Sequence, residues 1–183
     1  AAHLATALAA DAAWRQGDEQ AARTLYADTM QADPSVIRRL GLSLPASIRD
    51  SSGLNTGDRA ESMLGRSPRF RSDDSGFVVS ITKAGGDSLQ ICLTSPAGAR
   101  LACAVEPTQP PAPEGETLVP WTDWERAQRA VDAFHRAAFA LPTGLTRREL
   151  SGLDGTNTID TQAAREEMSS LLDDLVGRGS EQE

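Results

Sequence analysis

The chain is short of the side chains that carry most enzyme chemistry. Its 183 residues hold two His (His3 and His135), two Cys (Cys92 and Cys103), one Lys (Lys83), one Tyr, three Trp and four Phe. A nucleophilic triad needs a His beside a Ser or Cys, and no Gly-x-Ser-x-Gly elbow anchors one. The cysteines lack a Cys-x-x-Cys spacing and the two His are far apart, which argues against a thiolate metal centre. No Gly-rich phosphate loop or dinucleotide fingerprint is present, so no cofactor is expected. No apolar run approaches the roughly 18 residues of a spanning helix. Nor does a basic region followed by an apolar stretch mark a leader, and the chain opens Ala1-Ala2-His3, as a trimmed fragment would. Extended Lys/Arg stripes are also missing from a chain of net charge −8, which argues against nucleic acid as a partner.

What remains suits one alanine-rich domain with attached segments or two small ones, since 39% of the residues are apolar. All basic residues but Lys83 are Arg, a usage common in high-GC bacterial genomes. The charge is segregated. Residues 35–72 hold seven bases and three acids, whereas 1–34 hold five acids and two bases and 160–183 seven acids and two bases.

Residues 3–15 and 19–32 read as a helical hairpin broken at Gly17-Asp18 and stopped by Asp33-Pro34. Within it, the small Ala22, the aromatic Tyr26 four residues on and the closing Pro34 fall in register. Residues 17–34 thereby resemble the second half of a tetratricopeptide repeat. The small residue lets two helices approach, the aromatic fills the groove beside it and the proline ends the second helix. Thr6, Ala9, Ala13 and Thr29 depart from that family's preferences, and no second copy follows. A lone repeat cannot bury its apolar face, so the hairpin is either the end of an array or packs on the rest of the chain. The resemblance implies a protein partner without identifying it. An amphipathic hairpin with no repeat ancestry is the other reading.

A short helix at 36–40 follows, then extended chain at Leu42–Pro45. Residues 46–76 read mostly as loop, with one short helix at 60–64. The strongest β signal comes next: Phe77–Thr82, a turn at 84–87, Leu89–Thr94, a turn at 96–99, and Leu101–Val105, a three-stranded antiparallel meander. With Ala97-Gly98 at the centre of the second turn, Ser95 faces Arg100 and Cys92 faces Cys103. Opposed antiparallel residues lie about 4.5–5.5 Å apart at Cα, within disulfide range. Such a bridge stabilises by about 2–3 kcal/mol in the chain-entropy model and implies an oxidising compartment, the periplasm or cell surface. Two reduced, half-buried thiols are the alternative.

Residues 109–119 form a Pro-rich linker. Thr122-Asp123-Trp124-Glu125 is a capping box opening a helix that shows Trp124, Ala127, Val131, Phe134 and Ala138 on one face and ends near Leu141-Pro142. His135 reads as the edge of that packed face. Thr146-Arg147-Arg148-Glu149 opens a short helix, Asp154–Asp160 is an Asx-type turn rather than a calcium loop, and a last amphipathic helix runs over about 162–175. A disordered tail is expected at 178–183. The adjacent acids Asp73-Asp74, Glu166-Glu167 and Asp173-Asp174 read as solvated faces.

The expected fold is therefore α+β: a helical hairpin with a short third helix (1–45), loop plus antiparallel meander (46–108), linker (109–119), and C-terminal helices (120–177). No catalytic or metal-ligating set stands out. The candidate binding residues are Arg66, Arg69, Phe70 and Arg71, three guanidinium groups around an aromatic on a loop stiffened by Pro68, suited to a carboxylate, a phosphate or an acidic surface. The competing reading tucks Phe70 into the core. Together these features point to a non-enzymatic interaction or assembly module of the bacterial envelope, with a protein partner, compatible with the soluble part of a lipoprotein anchored upstream. The alternative is an extracytoplasmic hydrolase or small-ligand module with a dispersed Asp/Ser/Arg site.

Overall fold

The computed structural model describes residues 2–107, 109–110, 114–115 and 117–140. The expected elements beyond Ala140, from the capping motif at 146–149 to the tail at 178–183, lie outside the described residues.

Helices α1 (Ala2–Arg15) and α2 (Glu19–Ala32) form the hairpin. Gly17 takes a positive φ of 82° in the turn, and the Asp18 carboxylate caps α2 by accepting from the Ala21 N–H at 3.1 Å. Buried Ala7 and Ala10 of α1 and buried Ala22 of α2 let the helices approach, with Tyr26 also fully enclosed. Asp33 ends α2 and starts α3 (Ser35–Arg39), accepting from the Ser35 N–H at 3.1 Å and hydroxyl at 2.6 Å.

A five-stranded mixed sheet follows, which corrects the expected three-stranded meander. Its order is β2-β1-β3-β4-β5. Strands β3 (Phe77–Lys83), β4 (Leu89–Thr94) and β5 (Arg100–Glu106) are the antiparallel meander, while β1 (Leu44–Asp50) and β2 (Phe70–Ser72) add parallel pairing to it. Between them α4 (Asn55–Gly65) forms the crossover, so the segment expected to be loop is a β-α-β unit. Pro45, Ser47, Arg49 and Asp50 interrupt the apolar pattern that marks a strand. Burial of four consecutive residues, Leu44 to Ser47, is instead the mark of a strand covered on both faces.

Strands β2 and β3 flank β1 on opposite sides, both reaching Ala46. Residues 73–76 must therefore cross β1 at close range. The Asp73 N–H donates to the Ala46 carbonyl at 3.1 Å, and a Cβ on Gly76 would overlap the Pro45 carbonyl oxygen and lie 2.8 Å from its carbon.

Alternation sends Phe77, Val79 and Ile81 of β3 and Leu89, Ile91 and Leu93 of β4 to one face, and all six are buried. Helices α4 and α5 (Asp123–Phe139) pack together, α4 against β1 and α5 against β4 and β5. The capping box is present: the Glu125 N–H donates to Thr122 Oγ1 at 3.2 Å, and the Thr122 N–H to the Glu125 carboxylate at 2.8 Å. α5 buries Ala127, Ala130, Val131, Phe134, Ala138 and Phe139 and stops at Phe139, with Ala140 left-handed, close to the expected end near Leu141-Pro142. Cys92 and Cys103 are opposed as expected and bonded, with Cα atoms 4.1 Å apart. The hairpin register holds from Leu89↔Glu106 to Leu93↔Ala102 and then slips, so that Arg100 faces Thr94 rather than Ser95.

Gly76→Ala is expected to lower unfolding free energy by about 1–3 kcal/mol, as overpacking against backbone does. Urea denaturation measures it, and an unchanged midpoint would contradict so close a crossing.

Candidate functional site

The turn from α4 into β2 contains both the expected binding residues and an unforeseen contact. Ser67 Oγ lies 2.9 Å from His135 Nε2, and His135 Nδ1 lies 2.8 Å from the Val131 carbonyl oxygen. A carbonyl only accepts, so Nδ1 carries the hydrogen and Nε2 is left to accept the Ser67 hydroxyl proton. Ser67 Oγ in turn accepts from the Arg69 N–H at 3.2 Å. The rings of Phe70, Phe134 and Phe139 surround the imidazole at centroid distances of 6.1, 5.8 and 5.8 Å. Burial pushes the His135 pKa down to about 4, with the Val131 carbonyl opposing and the Arg69 charge adding to the depression.

Hydroxyl donating to imidazole is the geometry of a nucleophile and its base. Here, however, Ser67 is 3% and His135 1% exposed, and a backbone carbonyl of the same helix stands where a catalytic pair has an orienting carboxylate. His135 is thus a core residue rather than the edge of the packed face. Its role is to satisfy Ser67 and join the α4–β2 turn to α5. A helix-period pattern carries no sign of a partner 68 residues away.

Of the four expected binding residues, only Arg66 is exposed, bonding back to the Ser62 hydroxyl at 2.9 Å. Arg69 is 8% exposed and donates to the Ile37 and Leu42 carbonyls at 3.3 and 3.2 Å, holding α3 and the turn after it. Phe70 enters the core, 6.2 Å from Phe134 and 5.7 Å from Phe139, as the competing reading had it. Arg71 is half-buried, donates to the Tyr26 hydroxyl at 2.7 Å and lies over the Trp14 ring at 4.3 Å. Tyr26 donates to Asp11 at 3.3 Å, and burial pushes its pKa up to about 12 against the pull of Arg71.

Asp73, expected on a solvated face, is half-buried beside Arg23 at 3.0 Å, a guanidinium that also bonds Glu19 at 2.7 Å. Burial disfavours the Asp73 carboxylate, but the Ser75 N–H, Arg23 and the Ser75 hydroxyl outweigh it and hold the pKa below the ordinary range. Arg71 and the Arg23–Asp73 pair therefore tie the helical hairpin to the sheet. Sequence spacing does not reveal these pairs because their partners lie on separate elements.

A second polar cluster lies beyond the carboxyl end of β1, where the chain leaves the sheet for α4. Asp50 accepts from the Ser52 N–H at 2.9 Å, the Ser52 hydroxyl accepts from the Leu54 N–H at 3.2 Å, and Gly57 admits both side chains at the start of α4. The Thr56 hydroxyl donates to Asp123 at 3.0 Å, joining the N-termini of α4 and α5. Beside them is a shallow cleft of about 190 Å³, solvent included, lined by Thr56, Asp87, Leu89, Glu106, Pro107 and Arg126. Its enclosed space is only about 10 Å³, room for about one water and far below the roughly 300–1,000 Å³ of a small-molecule site. Among the described residues no group of His, Cys, Asp and Glu is arranged to hold a metal. Comparison with known proteins yields no match: no family model, curated sequence or solved structure is significantly similar to this chain.

The imidazole makes stability pH-dependent in a defined window. Its folded pKa of about 4 lies below the ordinary value near 6.5, so between these values the unfolded chain binds the extra proton. Its contribution is complete above pH 6.5 and falls by about 1.4 kcal/mol per pH unit down to pH 4. His135→Gln is expected to lose this part of the slope in urea denaturation followed across that range. An equal slope in both proteins would rule the histidine out.

Proposed function

We propose that the chain is a non-enzymatic protein-interaction and assembly module that works outside the cytoplasm, in the bacterial cell envelope. What carries the reading is the use of the polar side chains. Arg23, Arg71, Asp11, Asp73 and the Tyr26 hydroxyl fasten a tetratricopeptide-like hairpin to the sheet by one side. The hairpin's remaining surface, with Leu8 of α1 at 53% exposure, is left for a partner. The Ser67–His135 pair, the one catalytic-looking contact among the described residues, is enclosed by phenylalanine rings, which favours binding over turnover. The Cys92–Cys103 bridge supports an oxidising location, and among the described residues no helix is long and apolar enough to cross a membrane.

Two measurements test the reading. Alkylation and mass measurement of never-reduced protein from the native envelope is expected to find no free thiol, and two free thiols would overturn the location. A photo-crosslinking side chain in place of Leu8 is expected to capture one discrete protein in native cells, with capture from a neighbouring exposed position lost on Leu8→Asp. Absence of any adduct, together with hydrolysis of ester or peptide substrates, would favour the hydrolase alternative.

A further inference from the structure

We infer that β5 is a self-association edge, through which two copies of the chain join antiparallel about a two-fold axis at Cys103 to make one continuous sheet. The inference stands independently of the envelope reading. β5 is the outermost strand and seven residues long, whereas the opposite edge, β2, has three. The 4.1 Å Cα separation of Cys92 and Cys103 is that of a non-hydrogen-bonded pair, near 4.5 Å rather than 5.5 Å. The Cys103 N–H and C=O thus point away from β4, and by the two-residue period so do those of Val105. Among the described residues no backbone group outside β4 bonds to them.

Natural edge strands are normally blunted by lysine, proline or inward charge. The run Leu101-Ala102-Cys103-Ala104-Val105 has none of these, its ladder is regular from Ala102 to Glu106, and Val105 is 53% exposed. The occupant follows from charge. Arg100 and Glu106 stand at opposite ends of β5, and neither side chain makes an ion pair or hydrogen bond among the described residues. Burial without a bonded cation accordingly raises the Glu106 pKa, although Arg129 and Arg136 act against it from a distance. Antiparallel pairing centred on Cys103 sets Arg100 of each copy beside Glu106 of the other and Ala102 opposite Ala104, whereas in-register parallel pairing sets like charges together. The contact is isologous and closes at two copies. The disulfide already fixes β5 on β4, so the edge is ordered before a second copy arrives.

Sedimentation equilibrium of the full 183-residue chain, from micromolar to millimolar, is expected to show a monomer–dimer equilibrium. Val105→Pro removes the outward donor and leaves the β4 ladder at Ala104 and Glu106 intact. It should weaken the dimer at least about tenfold. Arg100→Glu or Glu106→Arg alone should weaken it about tenfold, since the axis counts each contact twice, and the double reversal should recover it. Circular dichroism and an intact disulfide by mass show that each variant is folded. A monomer at every concentration, a dimer indifferent to Val105→Pro, or a double reversal that stays weak would each overturn the inference.

Discussion

The pleat of the shortest strand holds the layers together. Successive residues of a strand point to opposite faces, so Phe70 and Arg71 project to opposite sides of β2, and Arg69 immediately precedes the strand. Phe70 enters the aromatic cluster beneath α5, Arg69 reaches the carbonyls at the end of α3, and Arg71 enters the hairpin between Trp14 and Tyr26. Three consecutive side chains thereby fix the sheet, the hairpin and the connecting helix. Two are guanidinium groups taken largely out of water, which is tolerable only because each donates to a fixed acceptor. Removing one acceptor would leave a buried donor or charge unmatched, so α3, Tyr26 and β2 are constrained jointly.

Much of this was legible in the sequence where information is local. The hairpin, the meander from Phe77 onward, the opposition of Cys92 and Cys103 and the capping box at Thr122 all depend on residues close in sequence, and all are present. β1 and β2 were not legible. A parallel strand is defined by partners far along the chain, and Leu44–Asp50 mixes proline, serine, arginine and aspartate in a way that hides both alternation and apolar continuity. The polar contacts failed for the same reason: Ser67 and His135 are 68 residues apart, Arg23 and Asp73 fifty. Composition pointed to the basic middle segment as a surface for partners. Two of the arginines it singled out, Arg69 and Arg71, instead serve the interior, while Arg39, Arg49, Arg59 and Arg66 are exposed.

Scarcity of catalytic side chains thus has a structural counterpart. The one buried histidine is neutral, saturated at both ring nitrogens and walled by phenylalanines, so it adds rigidity at neutral pH and a liability in acid. The single tyrosine is likewise held by Arg71 and Asp11 rather than offered to a substrate. Both groups are thereby committed to joining the layers of the fold.

The disulfide bears on that surface through register more than through chain entropy. Cys92 and Cys103 are 11 positions apart in sequence, a short loop whose closure stabilises only modestly. A slip of β5 by one residue would turn Ala102 and Ala104 away from α5 and send the Cys103 side to it, because side chains alternate with a period of two. Small alanines make such a slip less costly than large core residues would, and the bulge after Leu93 supplies the slack for it. A covalent bond between directly opposed residues removes that freedom. It fixes which backbone groups β5 presents outward, so the outer edge of the sheet keeps one pattern of donors and acceptors however weakly its alanines hold it to the core.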